Sequence, residues 1–271
     1  MAASFIAQVC AQTKTQEIIV KLIAMTLASL SMLASSVAQA DPKARDEVRA
    51  VAPALEKYRQ DTLFGDLWKR PGLSPRDRSI VTLAALITRN QTAEMAQYLS
   101  LALDNGVKPS ELSEIITHLA FYAGWGDSMA AVTIANDVFA ARKNTADQLS
   151  PASPQLLALN EAAEADRAKR VGELFGEVFP GVTQYTTDVL FRDLWLRPAL
   201  APRDRSLVTI SSLVASGQVA QLNGHIPIGM NNGLTQAEIA EGLTHLTFYV
   251  GWPNVFSAMP VAKDVFEKRA R

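Results

Sequence analysis

The sequence has few of the side chains that carry redox and metal chemistry. Among its 271 residues there are one cysteine and three histidines, and the cysteine, Cys10, lies in a segment that we expect to be removed. A mature chain without a thiol excludes disulfides and cysteine catalysis. The histidines form no His-rich tract and no Cys/His spacing, so we predict no metal site.

A charge excess of one sign and several catalytic signature motifs are also missing. The net charge is -1 and the pI is near 6.3, so the chain lacks the basic field that nucleic acids require. We predict no nucleic-acid partner. There is no G-x-S-x-G elbow, no Walker loop and no G-x-G-x-x-G after a strand. Serine-hydrolase and nucleotide-binding functions are therefore not predicted.

One long apolar run lies near the N-terminus. Lys14 and Lys21 precede the run LIAMTLASLSMLASSV, and AQA ends at Ala40. This pattern predicts a secretory signal peptide over residues 1–40, a periplasmic or secreted mature protein, and no membrane span after cleavage. A membrane-anchoring or amphipathic N-terminus is the alternative, although the run is shorter than the ~20 residues that a span needs.

The rest of the chain contains one unit twice. LFGDLWKRPGLSPRDRSIVTLAAL, from Leu63, returns as LFRDLWLRPALAPRDRSLVTISSL from Leu190, and THLAFYAGW from Thr117 returns as THLTFYVGW from Thr244. The offset is 127 residues in both cases, which is too long for a solenoid repeat of roughly 20–50 residues. We predict two tandem domains, at 41–141 and 156–271, joined by a Ser- and Pro-containing linker at 142–155.

The local signals in both copies are helical. Ser74 and Pro75 provide a cap and a first-turn proline, while Thr235 and Glu238 form a capping-box pattern before a helix that stops at Gly251. No alternating run demands a strand, so we predict an all-α fold. One apolar stripe of the later helix consists of Ile239, Leu243, Leu246 and Val250.

The two copies differ at one position with chemical meaning. QVAQLNGHIPIGMNNG, at 218–233, carries His225 where the equivalent helix of the first copy carries Tyr98. Pro227 removes the backbone bond to the carbonyl of Asn223 and should kink the helix. A functional imidazole is one interpretation of His225, and a packed, hydrogen-bonded core histidine is the other.

A second candidate constellation lies on the helix that follows. Glu241, His245 and Tyr249 stand at i, i+4 and i+8 and therefore share one helix face. The first copy repeats this pattern as Glu114, His118 and Tyr122. A Glu–His pair one turn apart is alternatively no more than a helix-stabilising contact.

These motifs together carry a resemblance. The segment 203–253, RDRSLVTISSLVASGQVAQLNGHIPIGMNNGLTQAEIAEGLTHLTFYVGWP, resembles the carboxymuconolactone decarboxylase family, with its R-S-L, L-x-x-H, N-G-x-T-x-x-E-I-x-E and H-x-x-x-Y-x-G-x-P pattern. The match covers most of 190–268 and, with gaps, about 63–141. The resemblance implies a helical fold shared with alkylhydroperoxidase D, and a homo-oligomeric ring of tandem chains such as a trimer.

Two chemistries occur on that fold. The peroxidase branch carries C-x-x-C-x-x-x-H, and its two cysteine positions fall here on Gln218 and Gln221. The acidic residue of that branch falls on Ser206. The sequence is therefore similar to the decarboxylase branch, in which a carboxylate leaves a lactone ring without an organic cofactor.

The resemblance implies roles for individual residues, acting on a small anionic substrate. Arg205 would anchor the substrate carboxylate, and His225 would return a proton to carbon. Arg205 alternatively forms internal ion pairs. The first copy, with Tyr98, would serve as scaffold, leaving one competent pocket in the second half. The remaining candidates, for orientation, proton relay, substrate contact and water exclusion, are Glu241, His245, Tyr249, Gln221, Trp252 and Phe248.

Three functions remain open from the sequence. The first is a cofactor-independent lyase or isomerase acting on a small lactone or carboxylated ring acid. The second is peroxide reduction, against which the missing cysteines argue. The third is a non-catalytic ligand-binding or assembly module. Export predicts that the substrate differs from the lactone of cytoplasmic aromatic-ring breakdown.

Overall fold

A computed structural model describes the chain from Pro42 to Ala270. The predicted signal peptide, residues 1–40, lies outside the described residues. Within residues 42–270 no helix is long and apolar enough to cross a bilayer. These residues form twelve α-helices, and no strand occurs among them. The predicted all-α fold is confirmed.

The chain divides into two compact units, and the first ends at Phe64. Its described part consists of helix α1 (Pro42–Val51), helix α2 (Pro53–Tyr58) and a π-helical turn (Arg59–Phe64). Pro53 is the first residue of α2, where the backbone N–H that proline lacks would have no partner within the helix. The Arg59 guanidinium stacks over the Phe64 ring at 5.0 Å.

The second unit runs from Gly65 to the C-terminus and contains the matching motifs of both copies. Its first-copy helices are α3 (Pro75–Thr88), α4 (Met95–Asp104), α5 (Pro109–Tyr122) and α6 (Trp125–Ala141). Two further helices follow, α7 (Glu161–Phe175) and α8 (Pro180–Tyr185). The second-copy helices are α9 (Pro202–Ala215), α10 (Leu222–Asn231), α11 (Gln236–Val250) and α12 (Trp252–Ala270).

The helix ends follow the sequence signals. Ser74 Oγ accepts from the Asp77 N–H at 3.0 Å, whereas the equivalent Ala201 offers no side-chain cap to α9. At the start of α11, Thr235 Oγ1 accepts from the Glu238 N–H at 3.1 Å and the Glu238 carboxylate accepts from the Thr235 N–H at 2.7 Å. The predicted capping box is therefore present. Gly251 ends α11 with φ of 83°, in the left-handed region that favours glycine.

Helices α3 and α9 form the centre of the second unit. They pack against each other, and almost every side chain of both is buried. Thr88 donates to Ser212 at 2.8 Å across this contact. The predicted apolar stripe of α11 is buried as well. The two copies thus share one core, while the predicted domain boundaries at 141 and 156 stay predictions.

The remaining contacts exchange helices between the copies. Helix α5 of the first copy packs on α9 of the second, and α11 of the second packs on α3 of the first. Each central helix therefore receives a Glu–His–Tyr face from the other copy.

Candidate active site

The exchanged helices bring polar and aromatic side chains into two clusters, and each cluster draws on both copies. What we call the His225 cluster consists of Glu114, His118, Tyr122, Trp195, Arg197, Arg205, Thr209 and His225. What we call the Tyr98 cluster consists of the residues 127 positions away, namely Glu241, His245, Tyr249, Trp68, Arg70, Arg78, Thr82 and Tyr98.

Arg205 is the buried cation of the His225 cluster. Its side chain is 0% exposed, as is that of Glu114. Nη2 donates to Glu114 Oε2 and to the Arg197 carbonyl, each at 2.8 Å. Arg197 binds the same carboxylate from the other side, at 2.8 and 2.9 Å. The predicted role of Arg205 as an anchor for substrate is not supported, and the alternative of internal ion pairing describes its contacts.

The bonds around His118 fix its protonation. Arg205 Nη1 donates to His118 Nδ1 at 3.3 Å, and His118 Nε2 lies 2.7 Å from Thr209 Oγ1. Because a guanidinium only donates, Nδ1 must accept and Nε2 must carry the proton. The Thr209 hydroxyl in turn donates a hydrogen bond to the Arg205 carbonyl at 2.9 Å. Burial, then the charge of Arg205, holds the pKa of His118 well below its usual range. His118 is therefore neutral, and its two hydrogen bonds connect α5 to Arg205 and Thr209 of α9.

His225 is different, because its imidazole is only half-buried. Its Nδ1 is buried and has no hydrogen-bond partner among the described residues. The ring stacks on Trp195 at 6.1 Å between centroids and stands edge-on to Tyr122 at 5.5 Å. Burial lowers the pKa of His225 to about 4. The ring is therefore neutral near pH 7 in the ligand-free protein. Pro227 lies inside α10, one turn from its start.

Two aromatic residues complete the surroundings of His225. Trp195 Nε1–H donates to the Tyr122 hydroxyl at 2.9 Å. Within residues 42–270 the Tyr122 hydroxyl has no other partner, so its own proton can be donated to a ligand. Burial raises the pKa of Tyr122 above its usual range, which keeps it protonated. Behind Trp195, the Phe191 ring stacks at 6.0 Å.

The charges of the cluster do not balance. Two guanidinium groups, Arg197 and Arg205, surround one carboxylate, Glu114. Burial raises the pKa of Glu114, but the bonds from both arginines outweigh it and the net effect is a lowered pKa. With both histidines neutral, one positive charge remains in excess behind the His225 ring. Such a field attracts an anion.

The structure separates several residues that the sequence suggested would act together. Glu241, His245 and Tyr249 belong to the Tyr98 cluster, where Glu241 binds Arg70 and Arg78. His245 is 0% exposed, and both its ring nitrogens are hydrogen-bonded. The structure therefore does not bring these three residues together with His225, and their roles in catalysis stay predictions. The single competent pocket of the second half also stays a prediction, and the cluster around His225 draws on both copies.

The three remaining candidates, Trp252, Phe248 and Gln221, lie on the surface. Trp252 is 51% exposed and packs edge-on against Phe248 at 5.1 Å between ring centroids. The aromatic rings that pack on His225 are instead those of Trp195 and Tyr122. Gln221 is exposed in the turn before α10.

No group of three His, Cys, Asp or Glu side chains in the described part of the chain is arranged to hold a metal ion.

The residues of the His225 cluster that the sequence did not predict to act with His225 are Trp195, Arg197 and the first-copy face of Glu114, His118 and Tyr122. The constant 127-residue offset marked all of them as repeated, but only the helix exchange shows which histidine they accompany.

Comparison with known proteins shows the family to which the chain belongs. The model of the carboxymuconolactone decarboxylase family matches twice, at residues 53–137 and 180–264. A 4-carboxymuconolactone decarboxylase of Acinetobacter baylyi is 41% identical over 76 residues, 28% of this chain and 57% of that protein. A nitrosuccinic acid decarboxylase of Metarhizium robertsii is 32% identical over 71 residues, 26% and 50% of the two chains. The chain spans about half the length of these curated relatives. Since the two matches of the family model cover well over half of the sequence, the chain belongs to the carboxymuconolactone decarboxylase family.

Proposed function

We propose that the His225 cluster decarboxylates a small carboxylated lactone or a related acid, with His225 as the proton donor and no organic cofactor. One observation carries the proposal. His225 presents an imidazole with an unpartnered, buried Nδ1 beside a tyrosine hydroxyl whose proton has no acceptor within residues 42–270. A proton carrier and an oxyanion donor are the two groups that such a reaction needs.

The reaction balances with these two groups. The C–C bond to the carboxylate breaks, CO₂ leaves, and the electron pair runs through the ring alkene to the lactone carbonyl oxygen. Tyr122 donates a hydrogen bond to that oxygen while the excess positive charge of Arg197 and Arg205 stabilises it. The imidazolium of His225 then delivers its proton to carbon and becomes neutral. Trp195 keeps water from the leaving carboxylate.

The low pKa of His225 sets a condition on this mechanism. A neutral imidazole is too weak an acid to give its one N–H proton to carbon, and the pKa of His225 is about 4 in the ligand-free protein. A bound carboxylate beside the ring raises that pKa, because an opposite charge favours the protonated form. Binding of an anionic substrate near pH 7 should therefore take up about one proton per site, measurable by calorimetry in buffers of different ionisation enthalpy.

The two relatives support a substrate class and leave the compound open. One relative is named for a carboxylated lactone and the other for a nitro acid. In each compound a lost carboxylate can leave its electrons on a neighbouring acceptor, a lactone carbonyl or a nitro group. The shared requirement is a small acid with such an acceptor, and an anion of this kind suits the excess positive charge of the cluster.

His225→Gln tests the proposal, with 4-carboxymuconolactone and nitrosuccinic acid as probes. Glutamine keeps the hydrogen-bonding ability but cannot cycle a proton near neutral pH. Turnover should fall by about 10²–10⁴-fold, while Tyr98→Phe, at the equivalent position, should change it far less. Thermal melting of both variants separates lost chemistry from lost packing. If a normally folded His225→Gln protein keeps more than about a third of wild-type turnover, His225 is not the donor.

We also propose that the protein is exported and cleaved after Ala40. The support is the basic, apolar and A-x-A order of residues 1–40. N-terminal sequencing of the protein from the periplasm or the medium tests this. A cytoplasmic protein that begins at Met1 would contradict export and favour an intracellular substrate.

A further inference from the structure

The Tyr98 cluster repeats the buried arginine, carboxylate and histidine of the His225 cluster with nearly the same distances. Arg78 donates to Glu241 at 2.8 Å and to the Arg70 carbonyl at 2.7 Å, against 2.8 Å for both equivalent bonds of Arg205. Arg78 Nη1 meets His245 Nδ1 at 3.2 Å, against 3.3 Å in the other cluster. The cation, the carboxylate and the neutral histidine are therefore all in place.

The aromatic residues of the two clusters also have nearly the same distances and interplanar angles. Trp68 donates to the Tyr249 hydroxyl at 2.8 Å, against 2.9 Å for Trp195 and Tyr122. The Tyr98 ring lies 6.3 Å from Trp68 at 18° and 5.6 Å from Tyr249 at 83°. The corresponding values for His225 are 6.1 Å at 18° and 5.5 Å at 83°. The phenol ring thus occupies the place and the plane of the imidazole.

Tyr98 changes two chemical properties of its cluster. It removes the imidazole, so no proton carrier stands at this position. It also accepts a hydrogen bond from the Tyr249 hydroxyl at 3.2 Å, which uses the proton that Tyr122 has available in the other cluster. The phenol is only 3% exposed, whereas His225 is half-buried. One side chain therefore accounts for the lost proton carrier, the occupied oxyanion donor and the reduced access.

We propose that Tyr98 alone limits this chain to one catalytic site, and that the Tyr98 cluster is a second, complete scaffold for the same class of small carboxylic acid. The proposal rests on the proposed role of His225. The charges behind the two rings agree with it, because Arg70, Arg78 and Glu241 leave the same excess of one positive charge. A histidine at position 98 supplies the missing proton carrier and frees the Tyr249 hydroxyl proton for a ligand.

A gain of activity is the decisive test. In the His225→Gln background, Tyr98→His should restore turnover of 4-carboxymuconolactone or nitrosuccinic acid at least tenfold above the level of His225→Gln alone. In the wild-type background it should raise turnover per chain by up to about twofold and raise the binding stoichiometry of the acid from one to two. Tyr98→Phe in the His225→Gln background is the matched control and should restore nothing, although it also frees the Tyr249 proton.

A second variant covers the possibility that the smaller ring leaves a void that unfolds α4. This variant gives α4 and the residue before it the local sequence found around His225. The changes are Glu94→Gln, Gln97→Gly, Tyr98→His and Ser100→Pro, which copy Gln221, Gly224, His225 and Pro227. Thermal melting selects the variant that is folded. If wild type turns over either acid and a folded variant with Tyr98→His stays at the level of His225→Gln, the proposal is overturned.

A readout independent of substrate separates failure of this inference from failure of the proposed function. If wild type turns over neither acid, the proposed function is at fault, and NMR titration of the imidazoles then decides the inference. Wild type should show one imidazole, that of His225, with a pKa of about 4, and Tyr98→His should add a second with a similarly lowered pKa. An added imidazole that titrates near the ordinary value of about 6.5 would show that the two environments differ and would overturn the proposal.

Discussion

Arg205 and His118 lie 87 positions apart in the sequence, in different copies of the repeat, and are joined by a hydrogen bond of 3.3 Å in a fully buried site. The bond orients His118 and fixes its neutral form. Arg78 and His245 make the reciprocal bond at 3.2 Å. Each copy therefore holds the buried histidine of the other, and the two copies depend on each other for their polar cores.

Removing either arginine should destabilise the protein by a similar amount. Arg205→Met leaves the His118 Nδ1 and one side of the Glu114 carboxylate without a donor, and Arg78→Met does the same to His245 and Glu241. Loss of one member of a buried ion pair costs about 3–5 kcal/mol, and the lower part of that range applies because a second arginine still binds each carboxylate. Urea unfolding measures the change. A loss below about 1 kcal/mol, as for an exposed pair, would contradict the buried geometry.

The sequence predicts the helices and the duplication but not the exchange. Both copies carry the same Glu–His–Tyr face and the same Arg-containing helix, so the pattern is compatible with packing inside one copy or across the two. Only the three-dimensional contact between α5 and α9 resolves the ambiguity. For this reason the sequence placed Glu241 and His245 beside His225, whereas Glu114 and His118 lie there.

The complete burial of Arg205 could not be predicted from the sequence for a different reason. Polar residues of α9 such as Ser206, Thr209 and Ser211 suggest an exposed face, yet all three are buried. Each hydroxyl donates to the carbonyl four residues earlier, at 2.8, 2.9 and 2.8 Å. Polar groups satisfied within their own helix can be buried on every side, and this is not visible in a periodicity argument.

The free energy of unfolding should decrease as the pH is lowered from 7.5 to 5. Most carboxylates titrate below this window, so the change reports on the histidines. The pKa of His225 is lowered to about 4, and those of His118 and His245 are lowered well below their usual range, in each case mainly by burial. The unfolded chain, with histidine pKa values near 6.5, binds more protons than the folded chain in this window. The free energy of unfolding therefore decreases as the pH falls.

His225→Gln isolates the share of one histidine. A shift from about 6.5 to about 4 contributes about 2 kcal/mol of the loss between pH 7.5 and pH 5, so the variant should lose correspondingly less on acidification than wild type. Urea unfolding of both proteins at the two pH values gives the comparison. Equal losses would mean that the imidazole of His225 is not buried in its neutral form.

We propose that the chain forms a homo-oligomer through a surface that both copies repeat. Four of the large apolar side chains exposed on α5 and α6 have exposed counterparts 127 residues later on α11 and α12: Phe121, Trp125, Met129 and Val132 correspond to Phe248, Trp252, Phe256 and Met259. Exposed apolar patches of this kind mark interaction sites. Trp125→Glu with Trp252→Glu should reduce the mass in sedimentation velocity. A wild-type protein that is monomeric at micromolar concentration would contradict the proposal.

The hydroxyl groups of Tyr122 and Tyr249 provide a matched pair for the oxyanion role. Each accepts from a tryptophan N–H, at 2.9 and 2.8 Å, but only Tyr249 gives its proton to another tyrosine, Tyr98. Tyr122→Phe should lower turnover by about 10²–10³-fold, the usual effect of losing one oxyanion donor, whereas Tyr249→Phe should leave turnover nearly unchanged. Both changes remove the acceptor of a tryptophan N–H, which costs about 1 kcal/mol, and Tyr249→Phe should lower the free energy of unfolding further because it also removes the hydrogen bond to Tyr98. Steady-state kinetics and urea unfolding of the two variants separate the chemical effect from the structural one. Equal turnover in the two variants would remove Tyr122 from the mechanism, and the oxyanion would then have to be stabilised by the field of Arg197 and Arg205 alone.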